Sequence, residues 1–238
     1  MIQKDVLENL AIKNQVGRIH VFREYCQHVA LSIIYKHELG NHLLFKGGTA
    51  LRFAYQSPRY SEDLDFSIFD LPRRSVEDVL LHLSEGVTAQ NIACDIEEAK
   101  ETSGGYFAAI AIKLYEETVH LSIQASQRKK NGRKPDLQLI SNELIAPYTL
   151  FLLPKQELVE EKVQAALTRA KPRDFFDVYY LLRRRDIPVS LRSMLAPLPD
   201  SMKKKRVEFR ELTNFLPKSM APLVANFPAL FTAEVRAL

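Results

Sequence analysis

The sequence predicts an α+β fold: a mixed or antiparallel sheet with flanking helices over residues 1–154, then a helical bundle over residues 155–238. Three observations carry this expectation. Apolar residues recur at helical spacing through the first 38 residues, and alternating runs separated by glycine and acidic pairs fill residues 91–125. Beyond Pro154 only helical spacing remains.

Leu7, Leu10 and Ala11 mark a helix over 3–15. Ile19, Phe22, Cys26, Val29, Ile33 and Ile34 mark a second over about 17–38, with Gly17 before it and Gly40-Asn41 as its stop. HLLFK (42–46) reads as a short strand and Gly47-Gly48 as a turn. Thr49 to Tyr55 reads as a helix of two turns, which Pro58 keeps from continuing. DLDFSIF (63–69) alternates acidic or polar with apolar residues, the pattern of a half-buried strand. Val76, Val79, Leu80 and Leu83 share one face of a helix over 74–86. Strands follow at 91–98, 106–115 and 118–125, with Gly104-Gly105 and Glu116-Glu117 in the turns. The loop RKKNGRKPD leads to a short strand, LQLI. Helices at 155–170, 173–184, 200–213 and 217–225 then run between prolines.

No apolar run approaches the roughly 18 residues of a membrane span; VALSII and YTLFLLP fall well short. The segment MIQKDVLENLAIKNQV lacks the apolar centre of a signal peptide, so a cytoplasmic protein with no membrane partner is expected. Cys26 and Cys94 make no C-x-x-C pair and are expected to be reduced thiols. Net charge is +4, unevenly placed. Residues 155–238 carry 16 Lys and Arg against 10 Asp and Glu, a net +6, which leaves 1–154 at −2. Arg183-Arg184-Arg185, Lys203-Lys204-Lys205-Arg206, and the group Arg128, Lys129, Lys130, Arg133 and Lys134 are basic blocks suited to a phosphate backbone. Each also suits a solvated helix face or loop.

The chemistry concentrates in residues 45–69. Side chains two apart on a strand share a face, so Asp63 and Asp65 converge while Leu64 and Phe66 face inward. Two converged carboxylates repel unless a cation neutralises them, and Mg²⁺ or Mn²⁺ suits them because such an ion takes further ligands from substrate phosphates. A strand leading through Gly47-Gly48-Thr49 into a helix presents backbone N–H groups and the positive end of a helix dipole. Thr49 can cap that helix or reach a phosphate oxygen. Alone, a D-x-D is as well explained by a solvated strand edge, and a G-G-T by a turn. Together and in this order they point to a nucleoside triphosphate as substrate.

KGGTAL followed by RYSEDLDF resembles motif I of the AbiEii/AbiGii-type nucleotidyltransferases of the DNA polymerase β-like superfamily. ELVEEKVQAALTRAKPRDFFDVYYLL (157–182) is similar to that family's second signature. The resemblance covers most of the chain and implies a polymerase β-like core completed by a basic helical domain. It implies that Asp63 and Asp65 hold the metal and that Gly47 and Gly48 line the triphosphate with Lys46, Thr49 and Arg169. Ser61 takes the family's hydroxyl position, Lys162 its essential lysine, and Asp177 or Asp174 its downstream acid, as general base or to order Lys162. The implied activity is transfer of a nucleotide to an acceptor, the 3′ end of tRNA, by a MenT-like toxin with a cognate antitoxin in a toxin–antitoxin or phage-defence system.

The residues support the second signature independently. Val159, Val163, Ala166, Leu167 and Ala170 form an apolar stripe that Lys162 borders, while Phe175, Val178, Tyr179 and Leu182 face a core from the next helix. One departure stands out. TVHLSIQ (118–124) presents His120, Ser122 and Gln124, none acidic, where many polymerase β-like enzymes carry a third carboxylate. Transfer to a protein and a non-catalytic nucleotide-binding module are the alternative readings. The intact D-x-D argues against the second. A phosphate or nucleotide added at Ser61 would put negative charge beside the acidic pair and block the triphosphate; Ser61 equally suits a cap of the preceding turn.

Overall fold

The computed structural model describes residues 2–128 and 134–238, so Lys129, Lys130 and Arg133 of the third basic block lie outside the described residues. The chain forms two compact units. One holds the residues up to Gln56 together with Tyr60–Leu153; the other holds Ser57–Arg59 and Pro154–Leu238.

In the first unit, α1 (Lys4–Lys13) precedes α2 (Arg18–Ile34), for which Gly17 is the N-cap. Helix α2 is buried on most of its circumference, including Gln27 and His28, because it packs against α1, α4 and the sheet. It stops four residues earlier than its apolar spacing predicts. The next residue, Tyr35, turns inward and donates its hydroxyl to the Leu43 and Phe151 carbonyls at 3.0 and 3.2 Å. Gly40 does not end the helix but opens a short 3-10 turn, Gly40–His42, that feeds the sheet.

Among the described residues the sheet has seven strands: β1 (Leu43–Lys46), β2 (Leu64–Ile68), β3 (Ala93–Thr102), β4 (Gly105–Leu114), β5 (Glu117–Gln127), β6 (Asp136–Ile140) and β7 (Tyr148–Leu152), ordered β3-β4-β5-β2-β1-β7-β6. Helices α3 (Gly47–Tyr55) and α4 (Ser75–Thr88) follow β1 and β2. The sheet is mixed: β1 runs parallel to β7, β2 runs parallel to β5, and the other neighbours are antiparallel. Strand β7 is an addition to the sequence reading, which weighed YTLFLLP only against a membrane span. Tyr148, Leu150 and Leu152 are buried, and Leu153 donates its N–H to the Phe45 carbonyl at 2.9 Å. The β4–β5 turn is Tyr115-Glu116, one residue earlier than predicted, because Tyr115 takes the left-handed conformation at φ 57°.

The faces of the sheet differ chemically. Leu64 and Phe66 of β2, Ile123 and Ala125 of β5, and Tyr106 and Ala108 of β4 are buried on one face. Burying such side chains stabilises by about 1.5–3 kcal/mol each for the larger ones. The opposite face carries Asp63, Asp65, Ser122, Gln124 and Phe107, so strand alternation alone delivers the polar residues to one side.

The second unit is helical: α5 (Lys155–Thr168), α6 (Pro172–Arg183), α7 (Leu198–Lys204), α8 (Ala221–Ala225) and α9 (Phe227–Arg236), with 3-10 turns at Val189–Leu195, Arg210–Asn214 and Lys218–Met220. The helix predicted over 200–213 breaks at Arg206, which is left-handed at φ 49°. Helix α9 is a further addition; Pro228 lies in its first turn, where a missing N–H costs nothing. Its Phe227 and Phe231 join Phe175, Phe176 and Phe209 in one aromatic cluster, with ring centroids of Phe209 and Phe227 4.6 Å apart and of Phe175 and Phe231 5.5 Å apart. Among the described residues, no helix is long and apolar enough to cross a membrane.

Candidate active site

Strand β1 runs directly into α3, so Gly47-Gly48 is the first turn of the helix rather than a separate turn. Lys46 is the N-cap residue, is buried, and stands opposite Asp65 in the β1–β2 register. Gly47 is required on two counts. Its φ of +80° is costly for any L side chain, and a Cβ built there would collide with the Asp65 carboxylate. Asp65 therefore lies directly against the opening of α3, where free N–H groups and the helix dipole favour anions.

Thr49 does not cap the helix, being its third residue, and α3 has no side-chain cap. Its fully buried hydroxyl donates to the Asp63 carbonyl at 2.6 Å, which ties the acidic segment to α3. The loop before β2 is tethered residue by residue. Asn14 donates to the Tyr60 hydroxyl at 3.2 Å, Gln27 to the Ser61 carbonyl at 3.0 Å, and Arg23 to Glu62 at 2.9 Å. The Arg52 guanidinium covers the Tyr60 ring, 3.5 Å from its centroid. Ser61 is half-buried in this loop.

Asp63 accepts a hydrogen bond from the Ser122 hydroxyl of β5. Gln124 stands opposite Asp65 in the same parallel pairing. Of His120, Ser122 and Gln124, the two beside the acidic pair thus offer a hydroxyl and an amide. Among the described residues, no cluster of three or more His, Cys, Asp and Glu is arranged for a metal. Two carboxylates beside a hydroxyl and an amide form an all-oxygen donor set. That set fits Mg²⁺, which keeps several waters and binds through one or two carboxylates plus substrate phosphates.

The second unit holds the other predicted residues in two separate groups. Lys162 of α5 donates to Asp177 Oδ2 of α6 at 2.8 Å. Arg59, to which the sequence reading gave no role, donates to both carboxylate oxygens of Asp177, Nε to Oδ1 at 2.8 Å and Nη2 to Oδ2 at 2.9 Å. All three residues are buried. Burial by itself would raise the Asp177 carboxyl, but Arg59 and then Lys162 outweigh it and hold the group down at about 2. A carboxylate held so low is a weak base, so its geometry suits ordering Lys162 rather than taking a proton. Asp174 belongs elsewhere: it accepts the Lys171 N–H at 3.0 Å, closing the first turn of α6, and accepts Arg169 Nε at 3.0 Å. Arg169 is thus paired with Asp174.

A sheet face that carries Asp63 and Asp65, with Asp65 against the glycine-opened α3, is compatible with a nucleotidyltransferase. The family profile described as "Nucleotidyl transferase AbiEii toxin, Type IV TA system" matches residues 29–226. The chain belongs to this family of nucleotidyltransferase toxins, and membership implies a nucleotide substrate and a cognate antitoxin. No curated protein matches it. Among solved structures it is similar to JHP933 from Helicobacter pylori, with a TM-score of 0.63 and 19% identity over 93% of this chain and 92% of that one. It is also similar to an H. pylori protein whose nucleotidyltransferase assignment is provisional, with a TM-score of 0.67 and 16% identity over 93% of this chain and 95% of that one. At these identities the likeness concerns the fold.

Proposed function

We propose that this chain moves a nucleoside monophosphate from an NTP to the 3′ end of an RNA, with tRNA as the acceptor, in the cytoplasm and under control of its antitoxin. The observation that carries this is the placement of Asp63 and Asp65 on one face, with Asp65 against Gly47 at the start of α3. That arrangement suits a triphosphate whose leaving phosphates sit on the helix N-terminus. Bound by the two carboxylates, Mg²⁺ or Mn²⁺ would neutralise phosphate charge and acidify the attacking hydroxyl.

In this reading the acceptor's 3′ oxygen attacks the α-phosphorus, the bond to the β-phosphate oxygen breaks, pyrophosphate leaves, and the hydroxyl proton passes to water. Backbone N–H groups of Gly47 and Gly48 bind the developing negative charge. Lys162 serves the triphosphate as a cation: an ammonium has three donors, and Asp177 takes one. Asp177 and Arg59 act by holding Lys162. The uneven positive charge of the helical residues favours a polyanionic acceptor.

The test is incubation with each α-labelled NTP and total tRNA, alongside Asp63→Ala whose melting curve confirms folding. Label is expected in RNA with the natural chain and absent with the variant. Label in protein alone, or undiminished transfer by Asp63→Ala, overturns the proposal.

A further inference from the structure

The acidic pair lies on a continuous row that crosses five strands. Lys46 of β1 stands opposite Asp65 of β2, Asp65 opposite Gln124 of β5, Gln124 opposite Phe107 of β4, and Phe107 opposite Lys100 of β3. Directly paired residues share a face, so these five side chains stand on the same side of the sheet. The adjoining rows run Ser122–Ala109–Glu98 and Ser67–Ser126–Gly105–Thr102. Ala109 and Gly105 flank Phe107 along β4, and it lines a hollow of about 510 Å³ with Lys100, Gln124 and Ser126. At Gly105 the floor is bare backbone, since a Cβ there would strike the Ala125 carbonyl oxygen.

Phe107 is only half-buried and shares its face with Asp65, Ser122, Gln124 and Ser126. The Lys100 ammonium lies 5.7 Å from its ring centroid and pairs with Glu98. Arg128 reaches the Ser67 hydroxyl at 3.5 Å, at the end of the row through Ser126. An aromatic face flanked by cations and an amide is the composition of a platform for an unstacked base.

The position favours the base of the acceptor. In-line displacement puts the attacking and leaving oxygens on opposite sides of the phosphorus. The start of α3 lies on the β1 side of Asp65 and receives the leaving phosphates; the attacking hydroxyl then arrives from the β5 side. Phe107 is two strand spacings beyond Asp65, about 9.5 Å, a distance that one nucleoside spans. We infer that Phe107 is the stacking platform for the terminal base of the acceptor, with Gln124 bonding to that nucleotide's ribose or base edge and Lys100 and Arg128 meeting its phosphates. This inference rests on the RNA-acceptor reading above.

The test uses the full chain and a short single-stranded RNA with a fluorescent purine at its 3′ terminus. Binding is read by quenching of the purine and, separately, by titration of a fluorescent NTP. Phe107→Leu, which keeps an apolar side chain without a ring, is expected to weaken RNA binding at least fivefold and abolish quenching. Phe107→Tyr should retain both, and NTP affinity should stay the same in each variant. RNA binding and quenching that survive Phe107→Leu overturn the platform alone, as does a parallel fall in NTP affinity. An absence of RNA binding by the natural chain, with NTP binding intact, overturns the RNA-acceptor reading and this inference with it.

Discussion

The Ser122 hydroxyl donates a hydrogen bond to the Asp63 carboxylate from strand β5. A donor there orients the first carboxylate without adding negative charge. Partners that orient a metal-binding group are commonly worth ten- to a hundredfold in metal affinity or activity. Ser122→Ala should therefore raise the Mg²⁺ concentration for half-maximal transfer roughly tenfold or more, with an unchanged melting temperature. A magnesium titration of initial rates measures it.

Gly47→Ala should be far more damaging than its single methyl suggests. The left-handed backbone costs about 1–2 kcal/mol, and the new Cβ collides with Asp65. Displacing a carboxylate from its productive position costs roughly a hundredfold in rate. Paired melting curves and rate measurements should show a modest fall in stability with a near loss of transfer.

Asp177→Asn strips two buried cations of their counter-charge and should destabilise the helical unit by about 3–5 kcal/mol. Adding Arg59→Met and Lys162→Met should recover much of that stability but not activity. The pH dependence follows from the same triad. Asp177 is held at about 2, below its ordinary value, so its stabilisation is complete above about pH 4 and disappears as the pH falls toward 2. Denaturant unfolding across that window should show the loss in the natural chain and not in the triple variant.

His28 should govern stability at milder pH. It stacks on Phe53 with ring centroids 3.8 Å apart and bonds the Tyr148 hydroxyl at 2.7 Å. Burial, reinforced by Arg52, lowers it to about 3. Native His28 stays neutral while the unfolded chain takes up a proton below about pH 6.5. Stability should thus decline as pH drops below that value, approaching about 1.4 kcal/mol per unit, and His28→Gln should flatten the decline.

Where one local rule dominates, the sequence was easy to read. The period of two in DLDFSIF put Asp63 and Asp65 on one face, and the strand–glycine–helix order put Gly47 beside them. Relations between distant residues were not legible. Nothing local announces that Thr49 would spend its hydroxyl on the Asp63 carbonyl, or that Arg59 would leave the acidic loop to grip Asp177. Asp174 and Asp177 are three residues apart and look equivalent in RDFFD, but Asp174 sits in the first turn of α6 and accepts the Lys171 N–H, while Asp177, a turn further on, meets Arg59 and Lys162. Strand β7 was hidden for another reason: a short apolar run between prolines signals burial, while its role in the sheet depends on the parallel pairing with β1.

Residues 57–59 belong to the helical unit although sheet residues precede and follow them. The two halves are thus interleaved along the chain, not strung end to end. A cut after Leu153 does not separate two modules: the N-terminal fragment carries away Arg59, and the C-terminal fragment keeps Asp177. Gene fission or domain shuffling at that point yields pieces that work only as complementing partners. The helical half is therefore tied in inheritance to the loop that precedes Asp63 and Asp65.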